Sequence, residues 1–185
     1  MPTGALILAC WVVLKLYWSI NARSIKPAAE RQSLRSRLVR LPIGLGFLVL
    51  AVAWIYPFGP ALNRRTPLTD CLGVAVCALG LAVAIWSRKC LGAEWSMNVE
   101  LKQDHQLVER GPYRLVRHPI YTGHLLMCLG TVLASGLLAA FAGLAISALG
   151  FCLKLRQEEA LLLRNFPGQY ASYRERTKAL IPYVL

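Results

Sequence analysis

An all-α, polytopic membrane bundle is the fold class this chain predicts, and three observations predict it. Apolar residues make up 56% of the 185 positions, and they come in blocks near the 20 or so that a helix needs to cross a hydrocarbon core of roughly 30 Å. The 21 Lys and Arg outnumber the 9 Asp and Glu, yet they gather in the gaps between alternate apolar blocks. Finally, no charged residue occurs from Pro119 to Leu153.

The first span is expected from Thr3 to Ile20, with Lys15 as its only charge. A cleaved leader is the competing reading of so short a segment, but no basic region precedes it and no small-residue cleavage site follows it, so a retained helix is expected. The second and third spans are expected from Leu41 to Leu62 and from Leu68 to Trp86. The uncharged run from Pro119 to Leu153 covers 35 positions, which as one helix would reach about 50 Å at 1.5 Å per residue. Two helices turning near Ala134, Ser135 and Gly136 fit better than one long tilted helix, because small residues permit both a tight turn and close helix contact. The total is about five spans.

After Leu153 the pattern becomes amphipathic. Leu155, Glu159, Leu162 and Phe166 share a stripe while Arg156, Arg164 and Asn165 fall elsewhere, which predicts a C-terminal amphipathic helix ending at Pro167 and Gly168. Glu159 on the apolar stripe must either snorkel or have a cationic partner. Lys154 and Glu158, four apart, are spaced to pair on one helix face. No repeat or low-complexity tract divides the chain, so residues 1–185 read as one membrane domain: 1–88 carries three spans, and 89–185 a polar loop, a helical hairpin and the C-terminal helix.

A formal charge of +12 taken alone would fit nucleic acid, but its distribution excludes that class. Arg23, Lys26, Arg31, Arg35, Arg37 and Arg40 lie between spans one and two, and further basic residues lie between Arg88 and Arg117 and after Leu153. The gap between spans two and three holds only Arg64 and Arg65, and the tip near Gly136 holds none. Under the positive-inside rule the three basic segments face the cytoplasm and the N-terminus lies outside. The bilayer is therefore the expected partner. Cys10, Cys71, Cys77, Cys90, Cys128 and Cys152 form no CxxC pair and read as small buried hydrophobes, neither disulfides nor zinc ligands. His105, His118 and His124 lack metal-site spacing, so no metal is expected. Gly44 and Gly46 lie inside a span with no strand before them, which excludes a Rossmann-type nucleotide fold.

The polar loop from Arg88 to Arg117 interleaves Glu94, Glu100, Asp104 and Glu109 with its basic residues, a mixture suited to a folded lid rather than to simple membrane attraction. It runs into RGPYRLVRHPIYTG, residues 110–123. Gly111 and Pro112 begin a turn. Pro119 pushes His118 out of helical geometry and occupies the first helical position, where its missing N–H costs nothing. The helix start, its dipole and Arg117 together suit a carboxylate or phosphate, although a hydrogen-bonded interfacial anchor accounts for the same histidine and tyrosines.

The stretch LVERGPYRLVRHPIYTG, followed some 35 residues later by EE and then by NFPGQYASYRERTKALIP, resembles the isoprenylcysteine carboxyl methyltransferase family, which is related to the phospholipid N-methyltransferases. The likeness covers roughly Trp95 to Leu185. It implies a membrane core of five or more helices, S-adenosyl-L-methionine bound from the cytoplasmic side, and a lipophilic small-molecule or prenylated acceptor entering from the bilayer. By this resemblance the cofactor-binding residues are Asn98, His105, Gln106, Leu107, Val108, Tyr113, His118, Pro119, Ile120, Tyr121 and Glu158, with Glu159 as the second candidate of the EE pair. Catalytic duty falls to Arg117, Lys154, Arg156 and Glu158. A family arginine facing the acceptor carboxylate is replaced by Lys154, which keeps the charge and loses the bidentate fork. An isoprenylcysteine-like carboxylate is the expected acceptor; a phospholipid amine, a small thiol, or a non-catalytic membrane role are the alternatives.

Overall fold

The computed structural model describes residues 2–22, 38–61, 65–96 and 106–184. Asn98 and His105 lie outside the described residues, as do Glu100, Asp104, Arg64 and the basic residues from Arg23 to Arg37. Among the described residues six α-helices follow one another: α1 (Pro2–Asn21), α2 (Leu41–Ile55), α3 (Pro67–Leu91), α4 (Pro119–Ser135), α5 (Leu138–Asn165) and α6 (Pro167–Arg176). The described residues contain no strand, only two isolated bridges. Three helices, α1, α3 and α5, are long and apolar enough to cross a membrane, whereas α2 and α4 are apolar but shorter. Leu6, Leu8, Leu16, Leu45, Leu48, Leu72, Leu79, Leu149 and others stand exposed around the bundle. Such a belt is unsuited to water and suited to lipid.

The boundaries depart from expectation in three places. Helix α2 ends at Ile55, not Leu62, because Tyr56 precedes Pro57 and adopts φ −120°, ψ 85°, outside the helical region as a residue before proline is driven to be. Helix α3 starts at Pro67 behind a Thr66 cap, whose side chain accepts from Thr69 N–H while Thr69 returns a bond to the Thr66 N–H; it runs on to Leu91. The expected amphipathic C-terminal helix is no separate element. Its residues are the last turns of α5, which continues unbroken for 28 residues, since no proline or glycine interrupts the chain between Gly150 and Pro167. The break expected at Pro167 occurs at Phe166, but Pro167 then opens α6 at its first position, where proline is tolerated.

The hairpin turn is where the small residues put it. Helix α4 ends at Ser135, and Gly136 takes the left-handed φ 67°, ψ 15°, which favours glycine. Small residues also set the helix spacing. A Cβ on Gly80 would lie 2.5 Å from Gly123 O and 2.6 Å from Met127 N, and one on Gly130 2.5 Å from Cys77 N. Helices α3 and α4 therefore meet backbone to backbone, as small-residue seams allow. Helices α2 and α5 meet the same way at Gly143 and Gly150. Helix α1 is tied across the bundle by Trp11, whose indole N–H donates to Thr131 Oγ1 at 3.1 Å.

Candidate active site

At the end of the bundle where α4 begins, the backbone is shaped by proline and glycine. Gly111, at φ +61°, starts a short turn, Gly111–Arg114, that buries Tyr113. His118, at φ −124°, ψ 56°, directly precedes Pro119 at the first position of α4. The C-terminal tail then pairs with this segment: Arg117 N–H donates to Lys178 O at 2.8 Å and His118 N–H to Ala179 O at 3.0 Å. Thr122 Oγ1 adds a bond to Leu180 O at 2.7 Å. Residues 116–118 are thus held from both sides, which the sequence did not signal.

Glu158 and Glu159, adjacent on α5, have different surroundings because successive helix positions point about 100° apart. Glu159 is buried and receives the Arg117 Nε–H at 2.7 Å, with His118 Nε2 at 3.2 Å and Arg174 Nε at 3.6 Å. Arg117 also donates from Nη1 to Thr177 O. The cationic partner of Glu159 is therefore Arg117, and their ion pair ties the start of α4 to α5 and to the segment after α6. Glu158 accepts from the Tyr121 hydroxyl at 2.6 Å, lies 3.4 Å from Lys154 Nζ and 3.6 Å from His118 Nδ1. The Lys154–Glu158 pair forms at the expected spacing, but Lys154 is buried rather than solvated, with its ammonium 5.2 Å from the centre of the Tyr121 ring. Stacking continues the array: the His118 and Tyr121 rings are parallel within 1° at 5.4 Å, and Tyr121 packs on Phe151 at 4.8 Å.

These groups border an open cleft with a cavity volume of about 130 Å³. Of the residues expected at the site, Gln106, Leu107, Val108, Tyr113, Arg117, His118, Ile120, Tyr121 and Glu158 line it together. Pro119 is fully buried behind them. Glu159 is turned toward Arg117 and is absent from the wall. Lys154 sits behind Tyr121 and Glu158 without lining the cleft, and Arg156 is exposed away from it. The structure adds Leu91 from the end of α3, Glu94, Trp95 and Ser96 from the segment that follows it, Leu161 and Leu162 from α5, and Tyr170 and Tyr173 from α6. The YxxY spacing of the last pair was the one signal that sequence reading left unused. Trp95 is set by Arg88, whose guanidinium carbon lies 4.7 Å from its ring and whose Nη1 and Nη2 donate to Gly92 O and Asn21 O. Burial, and then the charges of Tyr173 and Glu158, pushes the Tyr113 phenol well above its ordinary value, so it is a neutral hydrogen-bonding group at any physiological pH.

The sequence profile of the phospholipid methyltransferases matches residues 68–169, more than half of the chain and all of the hairpin that carries the cleft. The chain belongs to the phospholipid methyltransferase family. Its similarity extends to protein-S-isoprenylcysteine O-methyltransferase B of Arabidopsis thaliana, 26% identical over 84% of this chain and 81% of that protein. The nickel-cobalt-cadmium resistance protein NccN of Alcaligenes xylosoxydans xylosoxydans is 31% identical over 86% of this chain and 73% of that protein. Among solved structures, the eukaryotic intramembrane Ras methyltransferase, isoprenylcysteine carboxyl methyltransferase, superposes with a TM-score of 0.59 at 26% identity, covering 84% of this chain. This phospholipid methyltransferase family member spans 55% of that solved chain. The resemblance carried by RHPIY and the EE pair thus holds at the level of family and membrane fold.

Proposed function

We propose that this protein is an integral membrane methyltransferase that binds S-adenosyl-L-methionine in the cleft at the start of α4, on the cytoplasmic side, and methylates a lipophilic acceptor. The observation that supports this reading most is the convergence of Tyr113, His118, Tyr121 and Glu158, from two separated stretches of sequence, on one cleft. Its wall fits the proposed cofactor. Carboxylates of Glu94 and Glu158 suit an ammonium, the rings of Trp95, Tyr113 and Tyr121 suit a sulfonium through their π faces, and Leu91, Ile120, Leu161 and Leu162 offer an apolar boundary. When bound, S-adenosylmethionine supplies an electrophilic methyl on sulfur, whose S–CH3 bond breaks as the acceptor's bond to carbon forms and the sulfonium charge is neutralised.

In this reading the protein's residues mainly orient and exclude water. Tyr121 is fixed from three sides, by Glu158, His118 and Phe151, and so holds its place on the wall without ligand. Reactants kept near 3 to 3.5 Å and in line account for much of the rate such a site requires. Gln106, Leu107 and Val108 wrap the nucleoside portion; Asn98 and His105 belong to the same loop by the resemblance. Glu158 faces the ammonium. Lys154 supplies the positive field for an isoprenylcysteine-like carboxylate, which is ionised at neutral pH and needs no base.

A second reading has an observation of its own. Lys154 is already paired with Glu158 and seated on Tyr121, so the family's counter-ion for a carboxylate is largely satisfied here, which favours an amine or thiol acceptor. Such an acceptor must lose a proton. Activity that falls steeply below pH 7 selects the amine or thiol, and a flat profile from pH 6 to 8 selects the carboxylate.

Saturable binding of labelled S-adenosylmethionine to the detergent-purified chain, weakened by His118→Ala, is the expected result. Absence of saturable binding leaves the non-catalytic membrane role. Transfer of labelled methyl into membrane lipid extracts or small prenylated thiols then identifies the acceptor.

A further inference from the structure

Tyr170 is a residue of the cleft wall whose chemistry the reading above leaves unused. It is 1% exposed, it lines the cleft, and its hydroxyl is buried with no hydrogen-bond partner among the described residues. Its neighbour Tyr173 is a contrast: that hydroxyl donates to Tyr113 O at 2.6 Å and closes the turn that carries Tyr113. The Tyr170 ring is accounted for by packing, with Tyr173 edge-on at 5.9 Å between centroids. The oxygen is not. A buried hydroxyl without a partner destabilises a fold, and phenylalanine would fill the same space without that cost.

The surroundings say what kind of partner the oxygen suits. Burial first, and then the Glu159 carboxylate, pushes this phenol above its ordinary value, while the guanidiniums of Arg117 and Arg174 act on it in the opposite sense. Arg117 is the only cation among the described residues of the wall, and Glu159 is already bonded to it. A phenol kept neutral by burial, beside an arginine that borders the same space, is a donor pair for a carboxylate oxygen. Glu158 on the same wall supplies the opposite sign. A zwitterionic amino-acid group needs both.

Resting on the reading of the cleft as a methyl-donor site, we propose that Tyr170 is a further binding residue: with Arg117 it forms an oxyanion corner that takes the carboxylate at the amino-acid end of the donor, while Glu158 takes the ammonium. The corner selects donors that carry that carboxylate. It also explains the retention of an oxygen that the empty fold would be better without.

Calorimetry on the detergent-purified full chain with S-adenosylmethionine and with decarboxylated S-adenosylmethionine tests this. Tyr170→Phe should weaken the first roughly 10- to 100-fold, the range for losing a hydrogen bond to a charged group, and leave the second within about twofold. Its unliganded thermal midpoint should equal or exceed that of the parent. Tyr173→Phe serves as the structural control; it should lower the midpoint and weaken both ligands alike. Undiminished S-adenosylmethionine binding by Tyr170→Phe, or an equal loss for both ligands, overturns the proposal and leaves the donor reading standing. A parent protein that binds neither ligand overturns both.

Discussion

The seam between α3 and α4 and the cleft a few turns away, to which α5 and α6 also contribute, are built on opposite principles. Along the seam, Gly73, Gly80, Gly123 and Gly130 bring backbones so close that a single added carbon meets main-chain atoms at 2.5 to 2.8 Å. No side-chain chemistry is involved and no space remains. At the cleft the helices carry buried charge, namely His118, Lys154 and Glu159, around open volume and an unpaired hydroxyl. The seam spends its sequence on proximity, and the cleft keeps groups that a purely structural interior would replace. Positional rigidity at the seam is what allows the cleft to hold costly groups in fixed places.

Four substitutions sharpen that contrast. Glu159→Ala should have the largest effect, because it strands Arg117 in a buried site; breaking such a pair costs about 3 to 5 kcal/mol, read as a lowered thermal midpoint in detergent and loss of folded yield. Gly80→Ala comes next. Its new methyl would meet Gly123 O and Met127 N, which cannot move aside as a side chain could, and overpacking of this kind costs about 1 to 3 kcal/mol. Glu158→Gln should weaken S-adenosylmethionine about tenfold, since it removes the charge facing the donor, and should lower the midpoint by less than Glu159→Ala, since Lys154 loses its ion-pair partner while Tyr121 keeps an acceptor. A stability loss equal to that of Glu159→Ala would mean the two glutamates share one structural role. Gly44→Ala should have the smallest effect: nothing lies within 4 Å of its added carbon, so the helix gains up to about 1 kcal/mol from replacing glycine. A loss there would show that α2 has a close neighbour in the membrane.

The elements differ in how legible they were. The five apolar segments and the turn at Gly136 were readable because span length and small residues act locally. Pro119 at the start of α4 was readable for the same reason, since a proline constrains its own φ and its predecessor's conformation. Helix α2 was read too long because Tyr56–Pro57 was passed over as a stop, and the last turns of α5 were read as a separate helix because a change in polarity was taken for a change in backbone. A helix can turn from apolar to charged without ending.

The site divides in the same way. Residue types and spacing in RGPYRLVRHPIYTG and the EE pair marked Tyr113, His118, Tyr121 and Glu158 as a set, and the charge pattern marked Glu159 as needing either a cation or access to water. Only the folded chain decided that Arg117 is that cation, that Glu158 rather than Glu159 borders the cleft, and that Lys154 is buried against Tyr121 while Arg156 points away. Those outcomes depend on helix phase and on where α6 and the tail return, which contacts between residues some 40 to 60 positions apart establish. Local sequence determines which segments are helices and where they must stop; which face of each helix meets which neighbour is settled by packing them all at once.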